Sequence, residues 1–244
     1  MSDPSTSLIS FDGVRYAPAG VPVLTDIAFH ADARRIGIVG RNGSGKTSLA
    51  RLMAGLIAPD AGRVRIAGID VAADRKAALG VVGILFQNPD HQIIFPTVEE
   101  EIAFGLTQMG QSKAAAAKIV TQVLAQFGKA HWAKANVHQL SQGQRHLVCL
   151  MAVLVMAPKV IILDEPFAGL DIPTIAQLRR VLDSLDVTLV LITHQPDALD
   201  GFDRVLWLDE GRIVQDGPAG PVITAFRDKM VQIGGGDDLS HLAD

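Results

Sequence analysis

Short apolar runs, each closed by glycine or a polar residue, organise this chain. Residues 36–39, 160–163 and 189–193 are rich in Ile, Val and Leu and are only four or five residues long. Runs of that kind predict strands buried on both faces of a parallel sheet. Helical segments follow the first two runs, so an α/β architecture is the expectation. Residues 8–16 and 23–30 read as two more strands, separated by the breaker stretch 17–22. A further strand, 63–71, is entered through the turn residues Pro59, Asp60 and Gly62.

The middle of the chain reads differently. No convincing strand occurs over 98–156, whereas 114–127 and 142–156 read as helices, which predicts an all-helical insertion between two strands of the core sheet. Later, 205–208 and 212–214 flank Asp209-Glu210-Gly211, a hairpin signal. There is no internal repeat. One domain over 1–233 is expected, with the helical subdomain at about 98–156 and a mobile, glycine-rich and acidic tail at 234–244.

Composition narrows the class. The 244 residues are 48% hydrophobic and 20% charged, enough for a sizeable core. A net charge of −4 gives no basic face, which argues against a nucleic-acid partner. The single cysteine, Cys149, excludes an intrachain disulfide and fits a reducing cytoplasm. The longest apolar run, 147–157, falls short of the roughly 18 residues needed to cross a bilayer. The polar N-terminus lacks the basic and apolar regions of a secretory signal. Any service to a membrane therefore goes through a partner.

Two motifs carry the chemistry. Gly40-Arg41-Asn42-Gly43-Ser44-Gly45-Lys46-Thr47 matches G-x-x-x-x-G-K-[ST] in full. Its glycines let the backbone curl so that successive N–H groups face phosphate oxygens. Lys46 is expected at the β- and γ-phosphates of ATP and the Thr47 hydroxyl on Mg²⁺. A chance glycine-rich turn is the bland alternative. It is disfavoured by the strand that enters the loop and the helix former 47–56 that leaves it. The run Val160-Ile161-Ile162-Leu163 then ends in Asp164-Glu165, at the strand edge where open parallel sheets bind ligands. Asp164 is expected to hold Mg²⁺ through water, and Glu165 to polarise the attacking water.

With these residues in place the chain resembles the ABC (ATP-binding cassette) ATPases over about 7–222. Leu140-Ser141-Gln142-Gly143-Gln144 corresponds to the family's LSGGQ motif and lies between the two nucleotide motifs. Gln87 matches the Q-loop glutamine, Ala168-Gly169-Leu170-Asp171 the D-loop, and His194 the switch histidine. The resemblance implies an ABC ATPase fold: a RecA-like parallel-sheet core, an antiparallel β subdomain and a helical subdomain. It implies a head-to-tail dimer with two ATP molecules in its interface. It further implies catalytic roles for Glu165, His194 and Gln87, with Gln87 also sensing Mg²⁺. ATP contacts fall to Tyr16, to the loop 40–47, and, from the opposite subunit, to Ser141, Gly143, Gln144 and Asp171. Read as residues alone, Tyr16 is equally a strand core residue, and Ser141 with Gln144 is a capping box. Gln142 departs from the family's glycine and puts the turnover rate in question. Because one chain carries every motif, a homodimer is expected.

A narrower resemblance rests on Phe86-Gln87-Asn88-Pro89-Asp90-His91-Gln92-Ile93-Ile94-Phe95 and on residues 97–106. These are similar to energy-coupling-factor (ECF) ATPases of vitamin and transition-metal uptake. The resemblance implies a transmembrane coupling subunit and a substrate-binding membrane subunit as partners, at the cytoplasmic face of the cell membrane. Residues 34–56 look similar to the ATPase of tripartite biotin transporters. Asp90 to Phe95 is the expected docking surface. Packing of Ile93, Ile94 and Phe95 inside the helical subdomain is the alternative. Two other functions compete: a soluble ABC ATPase of iron–sulfur cluster assembly and a small-molecule kinase.

Overall fold

The structure is a computed structural model and describes residues 7–234. Expectations for residues 1–6 and for the tail beyond Gly234 fall outside the described residues.

Two sheets form the body of the chain. The first contains β1 (Ile9–Tyr16), β2 (Leu24–Ala31), β4 (Ala61–Ile66) and β5 (Ile69–Asp70), in the antiparallel order β2-β1-β4-β5. The second contains β3 (Arg35–Val39), β6 (Val82–Leu85), β7 (Val160–Asp164), β8 (Thr188–Thr193), β9 (Arg204–Asp209) and β10 (Arg212–Pro218), in the order β10-β9-β3-β8-β7-β6. Every pair in it is parallel except β9 with β10. The mixed α/β class inferred from the short apolar runs is the class observed.

Those runs are uninterrupted because alternate residues enter two different cores. Ile161 and Leu163 join the core on the helical side, while Val160 and Ile162 join the core facing the antiparallel sheet. Leu189 and Leu191 against Val190 and Ile192 divide in the same way. A strand sandwiched like this has no solvent side to carry polar residues. Each such Leu, Ile or Val contributes about 1.5–3 kcal/mol by leaving water. Between the sheets lies α1 (Lys46–Met53), which buries Leu49, Ala50, Leu52 and Met53.

The helical region comprises α3 (Val98–Gln108), α4 (Lys113–Gln126) and α5 (Gln142–Leu154), after the single turn α2 (Arg75–Ala78). Two more helices, α6 (Ile172–Ser184) and α7 (Ala219–Gly234), cover the helical side of the parallel sheet.

One expectation needs correction, and two elements carried no signal in the sequence. The single strand expected over 63–71 is a hairpin of β4 and β5, reversed at Ala67 (φ 51°) and Gly68 (φ 81°). β6 was not anticipated. Its interior Gly83 weakens the strand pattern but is demanded by packing, because a Cβ there would stand 2.4 Å from Val153. α7 was also unforeseen. It follows β10 directly and buries Val222, Ile223 and Phe226, with Trp207 edge-on to Phe226 at 5.6 Å. The expected hairpin between β9 and β10 turns at Glu210 and Gly211, both at positive φ.

Candidate functional site

Register puts the chemistry on one edge. Val39 pairs with Thr193 and Asp164 with Ile192, so β3, β8 and β7 end together. The loop after β3, the carboxylates after β7 and His194 after β8 are thereby brought side by side. They line a cleft of about 510 Å³ together with Val23, Asn42, Gly43, Gly45, Lys46, Thr47, Ser48 and Gln87.

The loop is shaped for a polyanion. Gly45 caps α1 in the left-handed region (φ 100°), and no side chain serves the first N–H groups of that helix. A Cβ on Gly45 would meet the Leu24 side chain at 2.8 Å, and one on Gly40 would meet Leu208 O at 2.2 Å. Only glycine therefore permits this curl. The open helix N-terminus favours negative charge. Lys46 is buried, and its Nζ donates to Gly40 O and Arg41 O at 2.8 Å each. Burial holds its pKa below the ordinary lysine value, against the opposing pull of Glu165 and Asp164. Ser44 Oγ is buried beneath the loop without a hydrogen-bond partner among the described residues.

The carboxylates differ in surroundings. Asp164 is buried, and desolvation pushes its pKa above the carboxylate range. Glu165 adds to that rise, while the Thr47 hydroxyl, Lys46 and Arg51 counter it. Glu165 sits at φ 50°, a left-handed conformation that costs a non-glycine residue about 1–2 kcal/mol. Three donors hold it there. Its Oε1 accepts from His194 N at 2.8 Å and His194 Nδ1 at 2.7 Å, and its Oε2 accepts from Thr193 Oγ1 at 3.0 Å. Donation to a carboxylate assigns the proton to Nδ1 and leaves Nε2 directed elsewhere.

The raised Asp164 pKa makes a prediction. A carboxylate with a raised folded-state pKa destabilises the fold as pH climbs above the unfolded value, and that cost is present at neutral pH. Asp164→Asn is therefore expected to raise the nucleotide-free Tm at pH 7 and to lose most ATP hydrolysis. Thermal melts and a phosphate-release assay check both. A lowered Tm would contradict the burial argument.

Ser141, Gly143, Gln144 and Asp171 are not among the residues that line this cleft, whereas Tyr16 adjoins it through Val23. Ser141 opens α5 with a complete capping box: Ser141 N donates to Gln144 Oε1 at 2.8 Å, and Gln144 N donates to Ser141 Oγ at 3.3 Å. Asp171 caps α6 by accepting from Thr174 N at 3.0 Å; the Thr174 side chain, and after it this main-chain bond, lowers its pKa. Gly143 packs so closely on α6 that a Cβ would lie 2.4 Å from Thr174. The exposed Gln142 side chain lies against Gly169 of the Ala168–Asp171 turn. Tyr16 is half-buried against the core between the sheets, and its carbonyl accepts from Val23 N at 2.9 Å. Thus one chain holds two separated half-sets of the expected residues.

Val23, Ser48 and Thr193 were missed by sequence reasoning. Only Ser48, beside Thr47, had a local signal. A larger groove of about 680 Å³, between α4, α5 and α6, is lined by apolar, amide and serine side chains without a titratable group.

A parallel-sheet edge with a phosphate loop, two carboxylates and a histidine, together with a capped helix elsewhere on the same chain, defines an ABC-type nucleotide cassette. The chain belongs to the ABC transporter family, whose model matches residues 24–168. It is an ATP-binding, ATP-hydrolysing member. The biotin transport ATP-binding protein BioM of Rhodobacter capsulatus is 54% identical over 207 residues, covering 85% of this chain and 88% of that protein. The energy-coupling factor transporter ATP-binding protein EcfA1 of Lactobacillus delbrueckii subsp. bulgaricus is 35% identical, over 87% of this chain and 79% of that protein. Among solved structures, CbiO1 of Clostridium perfringens, part of the ABC transporter complex CbiONQ, superposes with a TM-score of 0.76. It is 29% identical and covers 93% of this chain and 95% of its own.

Proposed function

We propose that this chain energises an ECF-type importer whose cargo is biotin. The convergence of Lys46, Thr47, Gln87, Asp164, Glu165 and His194 in one cleft carries the ATPase part of that reading. The cargo rests on the likeness to the biotin transport ATP-binding protein, and the ECF type also on the likeness to EcfA1. The relatives named above are all transporter proteins, so the iron–sulfur assembly alternative gains nothing from them.

In this reading the loop 40–47 wraps the β- and γ-phosphates with main-chain N–H groups and Lys46. The cleft fits Mg²⁺ by its donor set: the Thr47 hydroxyl, the Gln87 amide and the Asp164 carboxylate are all hard oxygen donors. Bound there, Mg²⁺ would neutralise charge on the phosphates. Glu165 orients the attacking water, and the Nδ1–H donation from His194 holds Glu165 for that task. Ser141, Gly143, Gln144 and Asp171 of a second copy complete the site across the interface. Most of the rate then comes from positioning and charge stabilisation. The domain is read as one unit, with residues 98–156 as its helical subdomain.

Among the described residues no helix is long and apolar enough to cross a membrane. Membrane coupling is therefore assigned to the segment after Gln87. Pro89 opens a short 3₁₀ turn there, and Asp90 is exposed. The apolar trio divides: Ile94 is 66% exposed, Ile93 packs on the helical core, and Phe95 tilts against Phe104 at 5.2 Å. Asp90 already faces an arginine of its own chain, Arg145, at 3.1 Å through Oδ1. Its Oδ2 remains for a cation on a partner helix.

The test is a tagged pull-down from membranes together with labelled-biotin uptake in cells dependent on this chain. Integral membrane partners and biotin uptake support the reading, and uptake of a different solute refutes the cargo. Asp90→Arg is expected to leave folding and ATP binding intact and to cut both partner recovery and uptake at least about tenfold, a loss of roughly 1.4 kcal/mol. Recovery at wild-type yield would refute docking through Asp90.

A further inference from the structure

A buried histidine in α5 is left unused by the reading above. His146 has 0% exposure, and both ring nitrogens face main-chain carbonyls. Nδ1 lies 3.2 Å from Gln142 O in its own helix, and Nε2 lies 3.2 Å from Gln87 O, 59 positions away in sequence. The two carbonyls are not equivalent. Gln142 O stands where the main-chain N–H of His146 completes the first helical turn. Gln87 O lies outside helix and strand, and among the described residues no main-chain N–H reaches it. The Nε2–H tautomer therefore serves the carbonyl that needs a donor. The Nδ1–H tautomer would only add to one already engaged.

Neighbouring contacts reinforce the same junction. Arg145 forms its ion pair with Asp90. The buried carboxylate of Glu101 accepts from Ile94 N and Phe95 N at 2.8 Å each. The loop after β6 is thus held to α3 and α5 along its length, and His146 is the tie nearest Gln87.

We propose that His146 is a positioning residue that fastens the Gln87 main chain to the first turn of α5. The Q-loop and the helix presenting Ser141 then keep one relative placement through the ATP cycle. This rests on the roles given above to Gln87 and Ser141. A displacement of Gln87 on ATP binding is carried directly into α5, which must meet the second copy's nucleotide. Without the tie, ATP still fills the loop 40–47, but α5 is no longer aligned by it. The loss should appear in kcat and in ATP-driven dimerisation, and spare ATP affinity.

The full-length chain bearing His146→Leu, His146→Asn or His146→Gln tests this. A glutamine amide nitrogen extends to about the place of Nε2 and can donate to Gln87 O. An asparagine amide nitrogen stands near Nδ1 and reaches only Gln142 O. His146→Leu and His146→Asn are expected to lower kcat about tenfold or more, with ATP affinity within about threefold of wild type, because misplaced groups lose rate before they lose binding. His146→Gln is expected to restore kcat to within about threefold of wild type. Equal losses in all three variants, no loss in any, or a parallel fall in ATP affinity would overturn the proposal. Should His146→Leu fail to fold, the contrast between Asn and Gln decides alone. Gln87→Ala is the control for the underlying roles. Unchanged kcat in that variant refutes the role of Gln87, and the proposal falls with it.

Discussion

Replacing Glu165 by glutamine is expected to leave ATP bound and stop its turnover. The argument starts from how the side chain is held. His194 N and Nδ1 both donate to Oε1, and Thr193 Oγ1 meets Oε2. A glutamine Oε1 accepts the first two bonds unchanged, and its Nε2 can donate to the threonine hydroxyl in place of accepting. The shape and the left-handed turn at residue 165 survive, and so does the loop that binds phosphate. What is lost is the negative charge that, in the proposed mechanism, orients water. General-base contributions are about 10²–10⁴-fold, so hydrolysis should fall at least about 100-fold. Because both half-sets of site residues lie on one chain, the stalled species should be a dimer of identical 25.9 kDa chains with two ATP molecules. Light scattering with nucleotide quantification measures it. Hydrolysis within about threefold of wild type, well short of a general-base effect, would remove Glu165 from the catalytic role. A stalled ATP-bound monomer would refute the homodimer.

The parts of this molecule legible in the sequence are those whose cause is local. The phosphate loop is eight consecutive residues whose conformation follows from its own glycines and the helix it opens. The capping box at Ser141 and Gln144 needs only a three-residue spacing, and both of its bonds form. The apolar runs of β3, β7 and β8 announce burial on both faces. What could not be read depends on residues distant in the chain. Gly83 looks like a breaker until Val153 of α5 is seen against it. Ala67 gives no turn signal, because a left-handed alanine is imposed by pairing Ile66 with Ile69. Asp90 looks free from its sequence neighbours, whereas Arg145 of a later helix faces it. His146 sits within an apolar helix and offers no motif, and its partner Gln87 lies in another element altogether. Gln142, a departure from the family pattern, turns toward Gly169, a neighbour that only the packing of α5 beside the turn before α6 could reveal.

Lys46→Ala is expected to abolish tight ATP binding, and here the electrostatics decide the magnitude. The lysine is buried at the head of α1, close enough to Asp164 and Glu165 for both carboxylates to act on its pKa. Burial works to discharge it, yet the carboxylates favour the ammonium, and an incoming triphosphate adds more negative charge. Removing the ammonium leaves those two carboxylates facing the polyanion alone. The helix N-terminus and the main-chain N–H groups of the loop remain, but each supplies only partial charge. Charge-assisted bonds to phosphate are the strongest in such a site, and their loss should weaken ATP at least about 100-fold, roughly 2.7 kcal/mol. The fold should tolerate the change. Alanine is the best helix former at the start of α1, and the loss is confined to the two bonds from Nζ to Gly40 O and Arg41 O. Nucleotide titration of the purified variant, with a thermal melt to establish folding, is the measurement. Affinity within about threefold of wild type, a difference of roughly 0.65 kcal/mol, would show that the main-chain cradle binds ATP without Lys46.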